Sequence, residues 1–346
     1  MINHENMYFN FLYQKVEIST RILINTLRLV TLSKMRNLNQ SERKVLTLLE
    51  ENCRLSANQI AKKTRLSPEG VLKIIKRLEE ARVITRFNTK INYSRIGYKL
   101  YPVHIKLLKL NKEIMSEIKQ IISKHKTCAW YTFCEGEYDL LLSFKILFEK
   151  DKKDMGQLLL EISENTQEKD VSIVLHSFEI SKSFINKKHT NKLFPTFNHE
   201  LDKTDLSKED IKLLNILKLN SRETVLNLSK KNDISARVVS SKIKRLEKLN
   251  IISGFKTKIN TATLSFQPCI ALINFGRYNN QELQKFITYC QQKRGINYLV
   301  KQIGKYDIEL TIDVYNINDF YKLMDNIREQ FSFIKKITTL ISKESS

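Results

Sequence analysis

The most constraining feature of this sequence is an internal repeat at a fixed offset of 168 residues. Residues 38–92 and 206–260 share 21 identities over 55 ungapped pairs, including the runs Lys-Arg-Leu-Glu and Thr-Lys-Ile-Asn. The same offset aligns the Gly-x-Tyr-Asp sequences at 136–139 and 304–307. A chance match would not hold its register over this distance. The chain is therefore predicted to contain two copies of one unit of about 140 residues.

The first part of each unit is predicted to contain three helices. In the first copy, residues 39–51 and 56–64 place apolar side chains on one helical face, each after a residue suited to N-capping. A third helix is predicted to start at Ser67, with Pro68 in its first turn, where a missing N–H costs nothing. The segment VITRFNTKIN at 83–92 is then expected to form a wing hairpin. This order predicts a winged helix-turn-helix.

The outward face of the third helix carries the residues expected to contact double-stranded DNA. Residues at its start can reach base edges in the major groove, and basic residues on later turns and in the wing neutralise phosphates. The second copy has Arg237 where the first has Glu69, so charge alone favours stronger binding by the second helix. The predicted DNA-binding residues are Ser67, Pro68, Glu69, Lys73, Lys76, Arg77, Ser235, Arg237, Ser241, Lys244 and Arg245.

The second part of each unit alternates between strand and helix patterns. In the first copy the pattern reads strand, helix, strand, strand, helix and strand over residues 98–108, 111–125, 127–134, 138–146, 151–165 and 171–178. This is the ferredoxin-like order β-α-β-β-α-β, repeated over 266–341. Helices would cover one sheet face, and the other face is predicted to pack on the second copy, giving an intramolecular pseudo-dimer.

The fold class is therefore α+β, with two copies of a winged helix-turn-helix followed by a ferredoxin-like domain. Residues 181–205 are predicted to be a linker, because they are polar, contain Pro195 and show no sustained period. The predicted domains are an N-terminal helical extension at 1–37, winged helix-turn-helix domains at 38–97 and 206–265, and ligand-sensing α/β domains at 98–180 and 266–346.

The N-terminal stretch 8–34 is amphipathic, but polar residues interrupt its apolar run. It is too broken to span a membrane and lacks a signal peptide's apolar centre. We expect an extra helix that packs on the body of the protein or on a partner. The alternative is that translation starts at Met35.

Composition adds weaker evidence. Lys and Arg outnumber Asp and Glu by 59 to 37, a net charge of +22 that favours polyanionic partners, although an AT-rich coding sequence would also enrich lysine. The five cysteines form no disulfide framework, which indicates reduced thiols and a cytoplasmic protein. The six histidines, His104 and His176 among them, are interpreted as not clustering with carboxylates or cysteines, so metal binding has no positive signal. No metal, cofactor or catalytic residue is predicted.

The order of parts resembles the Lrp/AsnC, or feast/famine, family of transcription regulators. Its most specific pieces are LSPEGVLKIIKRLEEARVI at 66–84 and the Gly-x-Tyr-Asp hairpins. The resemblance implies a sequence-specific DNA-binding regulator whose α/β domains dimerise, often assemble further and in many members bind an amino acid between them. Because this chain fuses two units, it looks like a single-chain pseudo-dimer, and assembly into higher homo-oligomers stays open.

An effector site is predicted at the two hairpins. Turn structure alone explains the Gly-x-Tyr-Asp motif, since glycine permits a positive φ and aspartate can accept backbone N–H groups. The functional alternative is that the hairpins meet between the α/β domains and surround an amino acid, with aspartate holding its ammonium group. The candidate residues are Gly136, Glu137, Tyr138, Asp139, Gly304, Lys305, Tyr306 and Asp307.

Two other functions remain as alternatives. Sirohaem decarboxylases share the architecture and use histidine and arginine to bind a polycarboxylate tetrapyrrole, but the segment 86–90 lacks the added basic and histidine residues, and no histidine is expected near the hairpins. The high positive charge also fits an architectural protein that binds DNA without sequence preference.

Overall fold

The computed structural model describes residues 37–181 and 192–345, so the predicted N-terminal helix lies outside the described residues. The elements up to the crossover are α1 Gln40–Glu51, α2 Ala57–Thr64, α3 Pro68–Glu80, β1 Ile84–Ile91, β2 Lys99–Leu107, α4 Lys112–Lys124, β3 Cys128–Gly136, β4 Leu140–Ile146, α5 Glu149–Glu161, β5 Thr166–Val171, β6 Ile173–Ile180 and β7 Leu193–Asn198. Those that follow are α6 Lys208–Leu219, α7 Val225–Asn232, α8 Ala236–Lys248, β8 Ile252–Ile259, β9 Gln267–Phe275, α9 Asn280–Gln292, β10 Ile296–Ile303, β11 Ile308–Val314, α10 Ile317–Gln330 and β12 Ile334–Ser345.

Side-chain caps fix the starts of the first three helices where the sequence predicts them. Asn39 and Ser56 each form a capping box with the residue three positions on. Ser67 Oγ accepts a hydrogen bond from the Gly70 N–H at 3.0 Å, and Pro68 occupies the first turn of α3. Helices α6, α7 and α8 repeat the lengths of α1, α2 and α3, which are 12, 8 and 13 residues.

The segment predicted as a wing hairpin forms a single strand instead. β1 pairs antiparallel with β8, its equivalent 168 residues later, and Phe87 lies opposite Thr257 while Thr89 lies opposite Phe255. The predicted strand is therefore present, but the hairpin prediction is wrong: pairing with β8 satisfies the backbone groups of β1 that a hairpin would have satisfied. All six helices around this two-stranded ribbon share one hydrophobic core.

The remaining strands form one ten-stranded sheet in the order β5-β2-β4-β3-β12-β9-β11-β10-β6-β7. Two groups of four strands within it, β2 to β5 and β9 to β12, each follow the predicted β-α-β-β-α-β order along the chain. The last strand of the first group is Thr166–Val171, which pairs with β2, not the predicted 171–178. The stretch Ile173–Ile180 crosses over and pairs with β10, because the same run of alternating residues can continue past Ser172 into a second ladder.

The two four-stranded groups also pack face to face. Their helix-free faces meet in a small apolar cluster that includes Leu141 from β4, Ile270 and Leu272 from β9, and Leu340 from β12. Leu142 and Leu310 point to the opposite faces, into the cores beneath the helices. Substituting Leu142 would therefore disturb a helix-covered core, whereas Leu141 is the β4 residue that tests the packing between the two groups.

The predicted linker contains a strand. β7 pairs antiparallel with β6, and its Phe194 and Phe197 side chains are buried. Pro195 is tolerated because β7 lies at the edge of the sheet. Two aromatic side chains three residues apart give burial without a clear period, which is why the sequence pattern indicated a linker.

A buried group of charges joins the helical part to the sheet. Lys256 of β8 is 1% exposed, and its Nζ lies 2.6 Å from Glu50 of α1 and 3.1 Å from Glu179 of β6. Glu179 also pairs with Lys90 of β1. Because these residues come from four elements, they fix the sheet relative to the α1–α3 and α6–α8 core.

None of the described helices combines the length and apolar character that a membrane span requires.

Candidate DNA-binding surface and hairpin site

Helix α3 presents the predicted DNA-binding residues on its solvent face. Val71, Ile75 and Leu78 are buried, which leaves Glu69, Lys73, Lys76 and Arg77 exposed, as Ser67 is before the first turn. Pro68 is half-buried. Over residues 57–90 the chain carries nine Lys and Arg against three Asp and Glu, so this face is positive. Its shape and charge suit the major groove of DNA.

Helix α8 has the same arrangement with different exposed residues. Val239, Ile243 and Leu246 are buried, and all five predicted residues are exposed: Ser235, Arg237, Ser241, Lys244 and Arg245. Val238 is also 41% exposed, next to Arg237. An exposed apolar side chain beside the leading arginine is suited to contact with a thymine methyl group, a feature that the sequence analysis did not single out.

The last arginine on each of these helices has a second role that the sequence analysis missed. Arg245 pairs with Asp210 at 2.9 Å, and Arg77 lies 3.8 Å from Glu42. Asp210 and Glu42 are the third residues of α6 and α1, where they complete the capping boxes. Each arginine therefore orients a neighbouring helix as well as facing solvent.

Charge pairing keeps the acid at the start of α6 ionised although it is buried. Burial alone would raise the pKa of Asp210, but hydrogen bonds from Lys242, the Ser207 N–H and Arg245 hold that pKa below its ordinary value. The capping-box spacing of Ser207 and Asp210 was the available sequence signal for an acid at this position.

Reciprocal contacts hold the two helical sets together. Arg54 donates hydrogen bonds to the backbone oxygens of Ser221 and Glu223, and Arg222 donates to those of Cys53 and Leu55. Thr89 donates to Leu217 O at 2.8 Å, and its equivalent Thr257 donates to Leu49 O at 2.9 Å. These exchanged bonds join the helical set α1–α3 to the set α6–α8.

The two Gly-x-Tyr-Asp hairpins meet, as predicted, between the sheet groups. Tyr138 and Tyr306 are each 1% exposed, with ring centroids 6.2 Å apart. Lys305 Nζ lies 2.7 Å from Tyr138 Oη and 3.6 Å from Glu137. Burial, together with hydrogen bonds to Asp170 and Tyr306, raises the pKa of Tyr138 well above its ordinary value. The opposite charges of Glu137 and Lys305 thus attract each other rather than forming two different pockets.

The hairpin aspartates are engaged by the backbone. Asp139 Oδ2 accepts the Leu107 N–H at 2.9 Å, and Asp307 Oδ2 accepts the Phe275 N–H at 2.7 Å. Asp139 is buried and also pairs with Lys106 at 3.1 Å, so it is not available to a ligand's ammonium group. Asp307 is only half-buried and keeps its other oxygen for further contacts.

A cleft of about 260 Å³ lies beside the second hairpin. Gly304 and Asp307 line it, together with Tyr278, Lys301 and Gln302. Among the described residues, neither amide atom of Gln302 has a hydrogen-bond partner, although this side chain is 3% exposed. A buried unpaired amide beside a lysine and a carboxylate is an arrangement that a small zwitterion would satisfy.

The two hairpin glycines are required for different reasons. Gly136 has φ of 142°, the positive value predicted for the turn. Gly304 is not among the positive-φ residues; an added Cβ there would lie 2.8 Å from Ser172 Cβ. The predicted positive φ explains Gly136, whereas close packing against Ser172 explains Gly304.

We expect Gly304→Ala to reduce the free energy of unfolding by about 1–3 kcal/mol, the usual cost of overpacking. Ser172→Gly should recover most of this loss in the double variant, since it removes the atoms that meet the new Cβ. Urea denaturation of the three variants measures both effects. Equal destabilisation in the single and double variants would contradict the packing explanation.

Two statements about histidine need correction. His104 adjoins the hairpins in space although not in sequence: its ring lies 5.4 Å from that of Tyr138 and 5.8 Å from that of Tyr306. It is fully buried and pairs with Glu309 at 3.3 Å, so it belongs to the packing between the sheet groups. The second is that His176 does lie beside another histidine and a carboxylate, His199 and Glu200.

Comparisons with known proteins agree with this geometry. A family model described as winged helix-turn-helix DNA-binding matches residues 38–85, which span α1 to the start of β1. An uncharacterised HTH-type transcriptional regulator of Pyrococcus furiosus is 36% identical over 123 residues, which are 35% of this chain and 78% of that protein. The chain belongs to the HTH-type transcriptional regulators. It is a DNA-binding transcription regulator with a winged helix-turn-helix near its N-terminus.

A second relative is matched over nearly its whole length. The HTH-type transcriptional regulator LysM of Sulfurisphaera tokodaii is 27% identical over 141 residues, covering 40% of this chain and 95% of that protein. Each of these two relatives therefore matches well under half of this chain. An AsnC family transcriptional regulator from Agrobacterium tumefaciens, known from its crystal structure, covers 39% of the chain with 19% identity and a TM-score of 0.34.

A solved structure with 12% sequence identity shares the fold over most of the chain. The siroheme decarboxylase NirDL has a TM-score of 0.60 and covers 88% of this chain and 92% of its own. Its sequence identity is 12%, which establishes a common fold and leaves the chemistry of the two proteins separate.

Proposed function

We propose that this regulator is an Lrp/AsnC-like protein in which two complete units form a pseudo-dimer within one chain and bind double-stranded DNA sequence-specifically. The carrying observation is the symmetric β1–β8 pairing, which places α3 and α8 in equivalent positions around one core. Relatives that match only 35–40% of the chain are consistent with two fused units. On this proposal the units run over 38–180 and 206–346, each with a DNA-binding and an α/β domain.

The two recognition helices should read different half-sites. Glu69 and Arg237 occupy equivalent positions at the start of α3 and α8, and both are exposed. A glutamate accepts from the amino group of cytosine, whereas an arginine donates two hydrogen bonds to guanine. The proposed operator is therefore asymmetric at the positions that these residues contact.

Alanine substitutions on the two helices test specific binding. Arg77→Ala and Arg245→Ala should each weaken binding by about 1–3 kcal/mol if these side chains contact bases. Arg77 and Arg245 also pair with buried carboxylates. Lys76→Ala and Lys244→Ala, at exposed positions, therefore serve as companion variants. Gel shifts on the native promoter and on random duplex, with melting temperatures recorded for each variant, provide the measurement.

The outcome separates the alternatives. Equal affinity for promoter and random DNA, unaffected by all four substitutions, would favour the architectural protein over the specific regulator. The shared fold with a siroheme decarboxylase keeps an enzyme as a second candidate, and loss of a carboxyl group from sirohaem in the presence of the purified chain would support it. His104 argues against that candidate, since it is enclosed by two tyrosines and paired with Glu309.

The proposed effector is an amino acid or a similar small zwitterion in the cleft beside the second hairpin. Lys301 and the Gln302 amide would hold its carboxylate, and the half-buried Asp307 its ammonium group. Compared with the sequence-based prediction, this places the effector beside Gly304 and Asp307 and leaves Tyr138, Tyr306, Glu137 and Lys305 to join the sheet groups.

Calorimetry against the twenty amino acids tests the effector. Asp307→Asn should abolish heats of binding that the wild type shows, while the equivalent Asp139→Asn, which does not face this cleft, should retain them. A ligand that favours one arrangement of the chain should also shift DNA affinity. No heat from any amino acid, or equal loss in both variants, would remove the cleft as the effector site.

A further inference from the structure

Three side chains of metal-binding type lie together where β6 and β7 pair. His176 of β6 faces Asn198 in the register of this pair, which brings the next two residues, His199 and Glu200, to its side. Their ligand atoms all lie within 4.8 Å of one another, and His176 Nε2 is 3.8 Å from Glu200 Oε1. We propose that His176, His199 and Glu200 form a binding site for a divalent transition metal ion of the Zn²⁺ class.

The hydrogen bonding of His199 leaves one ring nitrogen for a metal ion. Its Nδ1 lies 3.2 Å from the backbone oxygen of Leu175, and a carbonyl can only accept, so Nδ1 carries the proton. In the neutral ring the lone pair is then on Nε2. A backbone carbonyl on the far nitrogen is the contact that fixes tautomer and ring direction in metal-bound histidines.

The His176 ring is held in place by its neighbours. It is half-buried, stacks on Phe178 with centroids 6.5 Å apart, and lies opposite Lys301 of β10. This packing fixes the ring beside His199 and Glu200.

The ligand set indicates the kind of ion. Two imidazoles and one carboxylate suit zinc and its neighbours, whereas Ca²⁺ and Mg²⁺ prefer oxygen ligands alone. Ligand bonds of about 2.0–2.2 Å require the three atoms to approach more closely than the 4.8 Å limit within which they lie here. His199 and Glu200 are exposed and follow β7, so their side chains have the freedom to close on the ion.

Among residues 37–181 and 192–345 this is the one cluster of its kind, and its location goes beyond the proposed DNA and effector binding. The 168-residue offset puts Glu344 in the place of His176, so the other half offers no equivalent imidazole there. Residues 199–205 lead from β7 to α6, and Arg95 holds this segment through the Asp202 oxygen and the Thr204 N–H. A bound ion would tie β6 to the segment that enters the second helical set.

Titration of the full chain with Co²⁺ alone, followed by its visible d–d absorption, tests the site. We expect saturation at one equivalent per chain and displacement by Zn²⁺. His199→Gln and Glu200→Gln should each weaken binding by at least about 10- to 100-fold, the loss that even an outer-sphere substitution causes. Glu164→Gln, at an exposed carboxylate outside this cluster, is the matched control and should bind like the wild type.

His176→Gln completes the set, because its half-buried ring is the ligand least able to be replaced by a neighbouring side chain. Circular dichroism of each variant verifies that it is folded. The proposal is overturned if the wild type shows no saturable Co²⁺ binding, or if all three ligand variants bind as tightly as Glu164→Gln, which would place the ion elsewhere.

Discussion

Replacing Lys256 with methionine should lower the free energy of unfolding by about 3–5 kcal/mol, the cost of removing one partner from a buried ion pair. Methionine nearly preserves the volume but leaves Glu50 and Glu179 near each other without the central cation that lies 2.6 and 3.1 Å from them. Lys90 still pairs with Glu179 and cannot serve both carboxylates equally. Urea denaturation monitored by circular dichroism measures the loss.

Two further variants identify the cause. Lys322→Met, at an exposed position on α10, should change stability by no more than about 0.5 kcal/mol. Adding Glu50→Gln to Lys256→Met should recover part of the loss, since one of the two remaining charges disappears. If Lys256→Met and Lys322→Met proved equally stable, the buried charges would not join the helical core to the sheet energetically.

The stability difference between the wild type and Lys256→Met should depend on pH. Burial would raise the pKa of Glu179, but Lys256 and Lys90 hold it at about 2, below its ordinary 4.5. A depressed carboxyl pKa stabilises the fold above pH 4.5, and this stabilisation is lost as the pH falls from 4.5 toward 2. The pKa of Lys256 is raised above 10.5 by both carboxylates against the effect of burial, so its contribution is lost only at still higher pH.

The difference should therefore be largest between pH 4.5 and 10.5 and should shrink in acid. Denaturation curves of both proteins at a series of pH values down to the acid limit measure it. A difference that stays constant below pH 4.5 would show that lost packing, rather than lost charge pairing, destabilises the variant.

Local structure was predictable because its causes are local. The caps at Asn39, Ser56 and Ser67 depend on residues within one turn, and each helix begins where its cap predicts. The 168-residue offset also anticipated recurring elements, since matching residues impose matching local preferences. None of this required knowledge of which strands pair.

Strand partners and strand faces were not predictable from a single sequence. A strand of alternating residues serves equally well in a hairpin or in a ladder with a distant strand. The sequence of β1 therefore predicted a hairpin, and its pairing with β8 was not foreseen. Leu140, Leu141 and Leu142 are all apolar, so the sequence does not show which of them faces the helices. The sequence therefore did not reveal that Leu141 faces the other sheet group.

The candidate sites divide in the same way. Exposed residues of α3 and α8 follow from helical periodicity and lie where the sequence analysis placed them. His199 and Glu200 stand more than twenty residues after His176, and only the β6–β7 pairing joins them. The distance in the sequence exceeds any local motif, so an inspection for short metal-binding spacings finds nothing.

Inserting five base pairs between the two half-sites of the operator should weaken binding by about 10²- to 10⁴-fold, the advantage that two linked binding modules gain from acting together. Helices α3 and α8 are fixed on one core by the β1–β8 ribbon and by the exchanged bonds of Arg54 and Arg222. Their separation therefore cannot follow a half-turn rotation of the DNA. Affinity should fall to that of a single half-site.

The measurement is a gel shift or fluorescence anisotropy titration on operators with graded insertions. A five-base-pair insertion outside the half-sites is the control and should leave affinity unchanged. An insertion of ten base pairs returns the second half-site to the same face, about 34 Å further along the DNA. A rigid pair of helices cannot span this added length, so affinity should remain low. Full affinity at ten base pairs would indicate that the two helical sets separate in solution, and indifference to every insertion would mean that only one helix reads the operator.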